Sequence, residues 1–469
     1  MQSPKQILAD LWTLAGGDPA ALDAVALTGE EPQLPSSFRV AAAAQTSIAA
    51  AALAAAEIWK LRGGQDQEIA VDIRHAVVEC RSERYLRVAD QAPPPAWDAI
   101  AGVYKTRGQR FVRLHTNFPH HRDAVCRVLN CKAERDDVQA ALMQWDAEAF
   151  ETAAYQAGGV VAMMRSYGEW SATPQGKALA ALPVITIEKI GEAAPKPFPK
   201  LWPSGQRPLA GLRVLDLSRV IAGPVAGRTL AAHGADVLLI SGADLPAIPW
   251  LTIDTGRGKL TTFIDLKRDE GRNQLKALLA EADIFSQGYR PQALADLGFS
   301  AEEAARINPG IIFVSLSAYG HVGPWAGRRG FDSLVQTSTG FNHAEGVAAG
   351  VDGPKELPAQ ILDHATGYLM AFGAMMAKAR QSREGGSWHV RVSLAQTGRW
   401  IWNFGRVVDG LKTEDLKGEA IRPFVEQVES GFGSLQAIRH TAQLSQTPAF
   451  WLRPAMPLGS HPPQWPARD

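Results

Sequence analysis

The spacing of apolar and polar residues changes character near residue 208. From Leu212 to Leu316, short apolar runs alternate with helical stretches of about ten residues, which predicts an α/β fold with a parallel, doubly wound sheet. Because such sheets bind ligands beyond the carboxyl ends of their strands, the loops after Leu217, Leu266, Ser286 and Leu316 are candidates for a site. The predicted strands are 212–217, 237–240, 261–266, 284–286 and 311–316, and the predicted helices are 226–233, 269–282, 291–297 and 300–307.

The preceding half has a different pattern. One or two short helices occupy 1–30, an Ala-rich helix follows to about Leu61, and a strand over 68–73 leads into a helix over 74–86. Beyond three consecutive prolines, short β runs, three helices and a further β run predict a small α+β domain. The predicted organisation is 1–92, a helical and strand segment; 93–192, the small domain; 193–208, a Pro-rich linker; and 209–469, the large domain.

One acid stands at the start of a long apolar helix of the large domain. Asp363 closes the segment 357–362 and opens the run Tyr368 to Ala379, which is rich in Ala, Met and Leu and predicts a buried helix. A carboxylate there is favoured by the helix dipole and by free N–H groups. Asp363 is therefore either a helix cap or a carboxylate nucleophile of the kind that forms acyl intermediates.

The two halves share a layout that suggests an internal duplication. Residues 49–88 and 368–406 each contain a small-residue helix, a Gly-Gly stop, a strand and a polar helix. If the duplication is real, the first copy has no acid at the equivalent place, because 36–56 contains neither Asp nor Glu. That copy could not perform carboxylate chemistry.

Composition excludes several function classes. Lys+Arg 48 balance Asp+Glu 48, so no net field attracts nucleic acid or a membrane surface. The three cysteines form no CxxC pair, which argues against zinc and redox sites and fits a cytoplasmic protein. The Ala-rich run Val40 to Ile58 contains polar residues and predicts a packed helix rather than a membrane span. Residues 1–14 lack the organisation of a signal peptide.

Other site signatures are missing. His115, His120 and His121 lack a companion acid or cysteine at ligand spacing, so no metal is expected. The turn after the first strand of the large domain is neither a dinucleotide fingerprint nor a P-loop, and no GxSxG hydrolase elbow occurs.

Several ordered stretches of the second half together resemble one family, the family III CoA-transferases, which include formyl-CoA transferase, carnitine-CoA transferases and α-methylacyl-CoA racemase. The tail stretches 444–448 and 457–461 also look like the family's closing segment. The matching stretches are 209–224, 230–237, 264–267, Tyr289-Arg290-Pro291, 307–309, 319–325, Gly330-Phe331-Asp332 and the Asp363 segment.

The resemblance implies a Rossmann-like CoA-transferase domain and roles for specific residues. Asp363 matches the catalytic aspartate, which attacks an acyl-CoA thioester to form an anhydride and then an aspartyl-CoA thioester. Backbone N–H groups near the helix start are the expected oxyanion donors. CoA and acyl-CoA are substrates, a carboxylic acid is the partner molecule, and no permanently bound cofactor is expected. The implied CoA contacts are Arg219, Val220 and Ala222 on the first loop, Ile264, Leu266 and Lys267 at the adenine end, and Tyr289 and Tyr319 along the CoA chain.

The sequence also departs from the family pattern. Ser241-Gly242 replace the usual Glu and following residue, and Asp296 replaces an arginine that often contacts CoA. The small domain precedes the catalytic half instead of following it, and 1–92 resembles a degenerate part of a large domain. The chain therefore looks like two truncated copies fused together. The protein is expected to be either a homodimer or a monomer that supplies both halves of an interlocked pair.

The resemblance leaves two alternative functions to weigh against CoA transfer. A racemase or other isomerase of the family needs a histidine in a Gly-His-Asp stretch, where this chain has Phe331, which cannot carry a proton. His364 adjoins Asp363 but points about 100° away on a helix. A CoA-lyase-like or inactive descendant is the other alternative.

Overall fold

The computed structural model describes residues 2–198 and 207–467. Part of the predicted linker, 199–206, and the last two residues of the predicted large domain lie outside the described residues. The described chain builds its largest sheet from seven strands, six of which are mutually parallel. Five of these strands are the ones that the apolar runs predicted, within one or two residues at most ends.

The order of the large sheet is β10-β9-β8-β11-β12-β13-β7. The chain runs outward from β8 to β10, returns to the other side of β8 with β11, and continues through β12 to β13. The order reverses between β8 and β11, which is the place where doubly wound sheets bind ligands. The elements of the region are β8 (Arg213–Leu217), α10 (Ala222–Ala232), β9 (Asp236–Ser241), α11 (Pro249–Thr255), β10 (Lys259–Phe263), α12 (Asp269–Ala280), β11 (Ile284–Gln287), α13 (Pro291–Ala295), α14 (Ala301–Ile307), β12 (Ile312–Ser317), α15 (Asp332–Ser338), α16 (Phe341–Ala349), α17 (Ile361–Glu384), β13 (Ser387–Ser393), α18 (Leu394–Trp402), β14 (Val425–Val428), β15 (Leu435–Ile438) and β16 (Gln443–Leu444).

The first segment is not a separate body. Its long helix α2 packs along α17, and both contribute to one hydrophobic core with α10 and the large sheet. Strands β14 to β16 from the chain's end join small sheets with strands of the first segment. The most apolar window of α2 is long enough to cross a membrane, yet 89% of it is buried in the fold. The elements are α1 (Pro4–Leu14), β1 (Val25–Thr28), α2 (Val40–Leu61), β2 (Ile69–Asp72), α3 (Ile73–Glu79), α4 (Ser82–Tyr85) and β3 (Arg87–Val88).

The predicted repeat of layout is confirmed at the level of elements. Helix α2, strand β2 and helix α3 follow the same order as α17, β13 and α18. The third residue of α2, Ala42, donates its N–H to Glu31 at 2.7 Å, and the third residue of α17, Asp363, donates its N–H to Asp332 at 3.0 Å. Ala42 thus occupies the place of Asp363, as the absence of acids in 36–56 predicted. Common ancestry of the two halves remains a prediction.

The small unit is shorter than predicted. Its own core joins β4 to β6 with α5 to α7 and ends near Met163. The residues of strand β7 fell within the predicted bounds of this domain, but the strand pairs antiparallel with β13, because it completes the hydrogen bonds of the edge of β13 that β12 leaves open and buries Ile185 there. The elements are β4 (Gly102–Lys105), β5 (Phe111–Leu114), α5 (Pro119–Leu129), α6 (Arg135–Leu142), α7 (Ala147–Gln156), β6 (Val161–Met163), α8 (Tyr167–Ala172), α9 (Pro174–Ala180) and β7 (Ile185–Gly191).

Candidate functional site

A cleft of about 360 Å³ opens at the point where the strand order reverses. Three of the four predicted loops reach it, those that follow β8, β11 and β12, whereas the loop after β10 lies two strands away at the sheet edge. The start of α17 and part of the small unit close the remaining sides. The lining residues are Phe118, His120, His121, Arg219, Val220, Ile221, Ala222, Leu245, Gly288, Tyr289, Arg290, Ala293, Leu316, Ser317, Ala318, Arg328, Arg329, Gly330, Phe331, Asp363 and Leu394.

Asp363 presents an unengaged carboxylate to this cleft. It is the third residue of α17, its side chain is 7% exposed, and it does not cap the helix. Within the described residues, no donor bonds to its carboxylate oxygens. A helix cap would hold its oxygen on a backbone N–H. The cap interpretation is therefore wrong, and the carboxylate is free to meet a ligand.

A second carboxylate holds the start of α17. Oδ2 of Asp332 accepts the N–H of Asp363 at 3.0 Å, and its other oxygen accepts from the amide of Gln336. That N–H is already engaged, so the predicted oxyanion donor is not supplied by Asp363 itself. Burial raises the pKa of Asp332 to about 6. Burial, followed by the charges of Asp332 and Glu83, raises the pKa of Asp363 well above its usual range.

Removing the charge of Asp332 should lower the pH at which the site becomes active. A carboxylate nucleophile must be ionised, so the role predicted for Asp363 implies an activity that rises with pH through its raised pKa. In Asp332→Asn, the amide oxygen can still accept the N–H of Asp363, but the repelling charge is absent. We expect the acidic limb of the profile of kcat/KM against pH to move to lower pH. An unmoved limb in the active variant would contradict the coupling; Asp352→Asn, at an exposed site, is the control.

The first segment reaches His364, the residue next to Asp363. Nε2 of His364 lies 3.0 Å from Oε2 of Glu83, and the imidazole is 1% exposed. The ring therefore points away from the cleft, as the helical geometry predicted, and does not replace the histidine that a racemase requires. Glu83 thus contacts the first turn of α17 through His364, whereas Asp332 contacts it through the N–H of Asp363.

The structure brings five of the predicted site residues together. Asp363, Arg219, Val220, Ala222 and Tyr289 line the same cleft. The guanidinium of Arg219 donates to the carbonyl of Pro246 and lies 4.9 Å from the centre of the Phe118 ring. Val220 has a φ of 72°, a conformation that is costly for a β-branched residue and common at functional loops. Their proposed contacts with CoA remain predictions.

The other four predicted residues lie outside the cleft lining. Tyr319 is 2% exposed, packs on Trp170 and Trp325, and accepts a hydrogen bond from Ser338; its predicted place along the CoA chain is corrected to a core position. The side chain of Ile264 is likewise buried, in the core on the other face of the sheet. These positions follow from tight packing that the sequence did not reveal.

Leu266 and Lys267 lie at the end of β10. Leu266 packs partly buried against the core, and the exposed ammonium of Lys267 pairs with Asp244. Lys267 is thus a solvated surface charge in this structure, as most lysines are, and its contact with CoA remains a prediction. Asp296, the departure from the family pattern, is exposed at the end of α13 and does not line the cleft.

Gly367 lets α17 approach the first loop of the site. A Cβ at this position would lie 2.5 Å from the carbonyl oxygen of Ala222 and 2.8 Å from Cβ of Val225. Gly367→Ala should therefore displace the start of α10, destabilise the fold by about 1–3 kcal/mol, and raise the KM for the acyl-CoA substrate that the resemblance implies. Thermal unfolding and steady-state kinetics test this. Gly168→Ala, where the nearest atom is 4.0 Å away, should leave both unchanged.

Sequence reasoning missed the contribution of the small unit. His120 and His121 line the cleft, and His115 stacks on Phe331 with ring centres 3.9 Å apart. Burial lowers the pKa of His121 to about 3, so this imidazole is neutral. The histidine cluster was noticed only as a metal candidate. The sequence showed that the small unit precedes the catalytic half. That order does not specify which surface of the small unit meets the cleft.

The sequence model of the family described as CoA-transferase family III matches residues 209–420. These residues contain the cleft loops and Asp363. Three curated proteins show the range of similarity. Acetyl-coenzyme A transferase nodX of Hypoxylon pulicicidum is 28% identical over 328 residues, covering 64% of this chain and 54% of that protein. An acyl-CoA transferase of Gibberella moniliformis is 27% identical over 421 residues, covering 80% and 73%.

The third relative is similar over a shorter segment. Succinyl-CoA:glutarate CoA-transferase of Mus musculus is 33% identical over 183 residues, covering 36% of this chain and 41% of that protein. The chain spans about half the length of most of the curated relatives it matches.

Proposed function

We propose that this chain, which carries a CoA-transferase family III domain over residues 209–420, moves CoA from an acyl-CoA to a second carboxylic acid through Asp363. The observation that carries the proposal is the free carboxylate of Asp363 in the lining of a cleft at the sheet's switch point. The names of the similar proteins support the reaction class.

The geometry suits a carboxylate nucleophile. Within the described residues no cation pairs with Asp363, and burial disfavours its charged form, so ionisation leaves a poorly solvated and reactive oxygen. Asp332 and the Glu83–His364 pair both contact the first turn of α17. The side chain is thereby positioned without being neutralised by a counterion.

The proposed reaction begins when a carboxylate oxygen of Asp363 attacks the thioester carbonyl. The C–S bond breaks, CoA leaves as the thiolate, and a mixed anhydride remains on Asp363. The thiolate then attacks the aspartyl carbonyl, which releases the first acid as a carboxylate and forms an aspartyl-CoA thioester. The second acid repeats these two steps in reverse, and Asp363 is regenerated as a carboxylate.

The sheet edge offers a path for CoA. Arg219 and Leu245 line both the cleft and a smaller adjoining cavity that includes Ser241 at the end of β9. The next strand, β10, ends near Lys267. We propose that the pantetheine arm passes Arg219 and Tyr289 and that the nucleotide lies toward β9 and β10, with the Ser241-Gly242 turn in place of the family's acidic residue.

We also propose that one chain builds a complete site. The first segment contributes α2, which packs along α17, and Glu83, which contacts His364. Ala42 occupies the duplicated position, so the chain carries one nucleophile for two similar halves.

Transfer of CoA between two acids tests the proposal. The protein is incubated with acetyl-CoA or succinyl-CoA and a panel of ¹³C-labelled carboxylic acids, and the CoA esters are separated by mass spectrometry. We expect labelled acyl-CoA without net hydrolysis. Release of free CoA alone would refute transfer, and exchange of the α-proton of the acyl group without transfer would indicate the isomerase alternative.

A further inference from the structure

One histidine of the small unit forms part of the cleft wall. His121 is the third residue of α5, is 4% exposed, and lines the same cavity as Asp363. It lies outside residues 209–420, so the family match does not include it. Its ring stands edge-on to the rings of Phe118 and Phe331, with centres 5.7 and 6.0 Å apart. The aromatic contacts fix the orientation of the imidazole in an apolar wall.

Phe331 joins this wall to the start of α17. It directly precedes Asp332, whose carboxylate accepts the N–H of Asp363 at 3.0 Å. His121 and Asp363 therefore belong to two walls that meet at Phe331, around one cavity of about 360 Å³. A cavity of that volume holds a single small ligand. A carbonyl group that meets Asp363 there also lies beside the wall that carries His121.

The two ring nitrogens of His121 have different surroundings. Nδ1 is buried and has no hydrogen-bond partner among the described residues, so Nε2 is the nitrogen that can meet a ligand. A buried N–H without an acceptor is less favourable than a bare ring nitrogen, which places the proton on Nε2. Burial, and then His120, Arg329 and Arg219, lowers the pKa of His121 to about 3. The ring is therefore neutral wherever Asp363 is ionised.

We propose that His121 is a further catalytic residue, whose Nε2–H donates a hydrogen bond to the thioester carbonyl oxygen while Asp363 attacks the carbonyl carbon. This inference rests on the proposed CoA transfer and adds a residue to it. As the new C–O bond forms, the π electrons of the carbonyl move onto its oxygen, and the hydrogen bond strengthens with the growing charge. When the C–S bond breaks, those electrons return to the carbonyl. The proton stays on Nε2 throughout.

A neutral donor suits this site better than a cation would. A guanidinium beside Asp363 would pair with its carboxylate before any reaction, and no cation does so within the described residues. The N–H of Asp363 is engaged by Asp332, so the oxyanion needs a donor from elsewhere. The Nε2–H of His121 comes from a wall that also contains Phe118 and Phe331, where a hydrogen bond to a developing charge is stronger than in water.

Two substitutions separate the donor from the shape of the ring. His121→Gln keeps an N–H near the place of Nε2, whereas His121→Leu has a similar volume and no donor. In the CoA-transfer assay we expect kcat of His121→Leu to fall about a hundred- to a thousandfold with little change in KM, and His121→Gln to retain most of it. The acidic limb of kcat/KM against pH should stay in place in both. His343→Leu, on α16 and outside the cleft lining, should behave like the wild-type protein.

The ring itself provides a second readout that needs no folded leucine variant. In protein labelled with ¹⁵N-histidine, the signals of His121 are identified by their absence from His121→Gln. Their chemical shifts should report a protonated Nε2 and a bare Nδ1 across the pH range of the assay. A proton on Nδ1 alone, or an imidazolium in that range, would overturn the proposal.

The kinetic outcomes distinguish this inference from the proposed function. Transfer of CoA by the wild-type protein reports the proposed function, whatever the variants do. Equal losses in His121→Leu and His121→Gln would overturn the role as a donor, because the shape of the ring would then explain the effect. A raised KM at unchanged kcat would also overturn it, since the residue would then bind the ground state only. So would full activity of a folded His121→Leu.

Discussion

Asp363→Asn is expected to abolish CoA transfer, with a loss of at least about a thousandfold in kcat. The amide has nearly the shape of the carboxylate, and the N–H of residue 363 can still donate to Asp332. The substitution therefore removes the nucleophilic oxygen and leaves the helix start in place. Steady-state transfer assays measure the loss, and Asp352→Asn, at an exposed loop position, should retain full activity.

The same substitution should stabilise the fold in a pH-dependent way. The folded protein holds a proton on Asp363 more tightly than the unfolded chain does, because its pKa is raised. The ionised carboxylate of Asp363 therefore lowers the free energy of unfolding most once the pH exceeds that raised pKa. Asparagine carries no charge at any pH, so it has no such effect. Thermal unfolding should show that the advantage of Asp363→Asn grows as pH rises and vanishes in acid. Retained turnover in this variant would remove Asp363 from the mechanism.

Asp254→Ala is expected to destabilise the protein by about 3–5 kcal/mol. Asp254 joins three parts of the chain: Oδ2 accepts from Arg228 at 2.7 Å and from Ser82 at 2.6 Å, and Oδ1 accepts from Arg257 at 3.2 Å. The aspartate and both arginines are at most 2% exposed. Burial alone would raise the pKa of Asp254, but the two guanidinium groups hold it below its usual value.

The cost arises because alanine leaves buried guanidinium groups without their carboxylate. Urea or thermal unfolding measures it, and Glu419→Ala, which breaks an exposed ion pair, should change stability by at most about 1 kcal/mol. The double variant Asp254→Ala with Arg228→Met should recover part of the loss, since one stranded charge is removed. An effect of Asp254→Ala no larger than that of the exposed control would contradict this role.

The large sheet was predictable because its strands are continuous apolar runs. Buried parallel strands such as β8 and β12 carry this pattern whatever surrounds them, so their positions followed from local sequence. The same logic located the cleft at the ends of β8, β11 and β12. The long helices α2 and α17 were equally plain, and so was the lack of an acid at the place of Asp363 in the first half.

The contacts between distant segments were not predictable. The antiparallel addition of β7 to the large sheet, the Glu83–His364 pair and the histidines of α5 in the cleft depend on how separate segments dock. Tyr319 was assigned to the cleft from its place in a motif, but its backbone turn directs the ring into the core with Trp170 and Trp325. The position of a residue in a motif predicts the loop on which it lies. The direction of its side chain depends on the residues that pack against it.

The central claim, that Asp363 carries the acyl group and then CoA, is tested most directly by chemical trapping. The protein is incubated with an acyl-CoA, treated with hydroxylamine or borohydride, digested and mapped by tandem mass spectrometry. The account predicts a hydroxamate or a reduced side chain on Asp363, dependent on the acyl-CoA and absent from Asp363→Asn. An active protein whose Asp363 peptide remains unmodified under these conditions, or is modified equally without substrate, would contradict it.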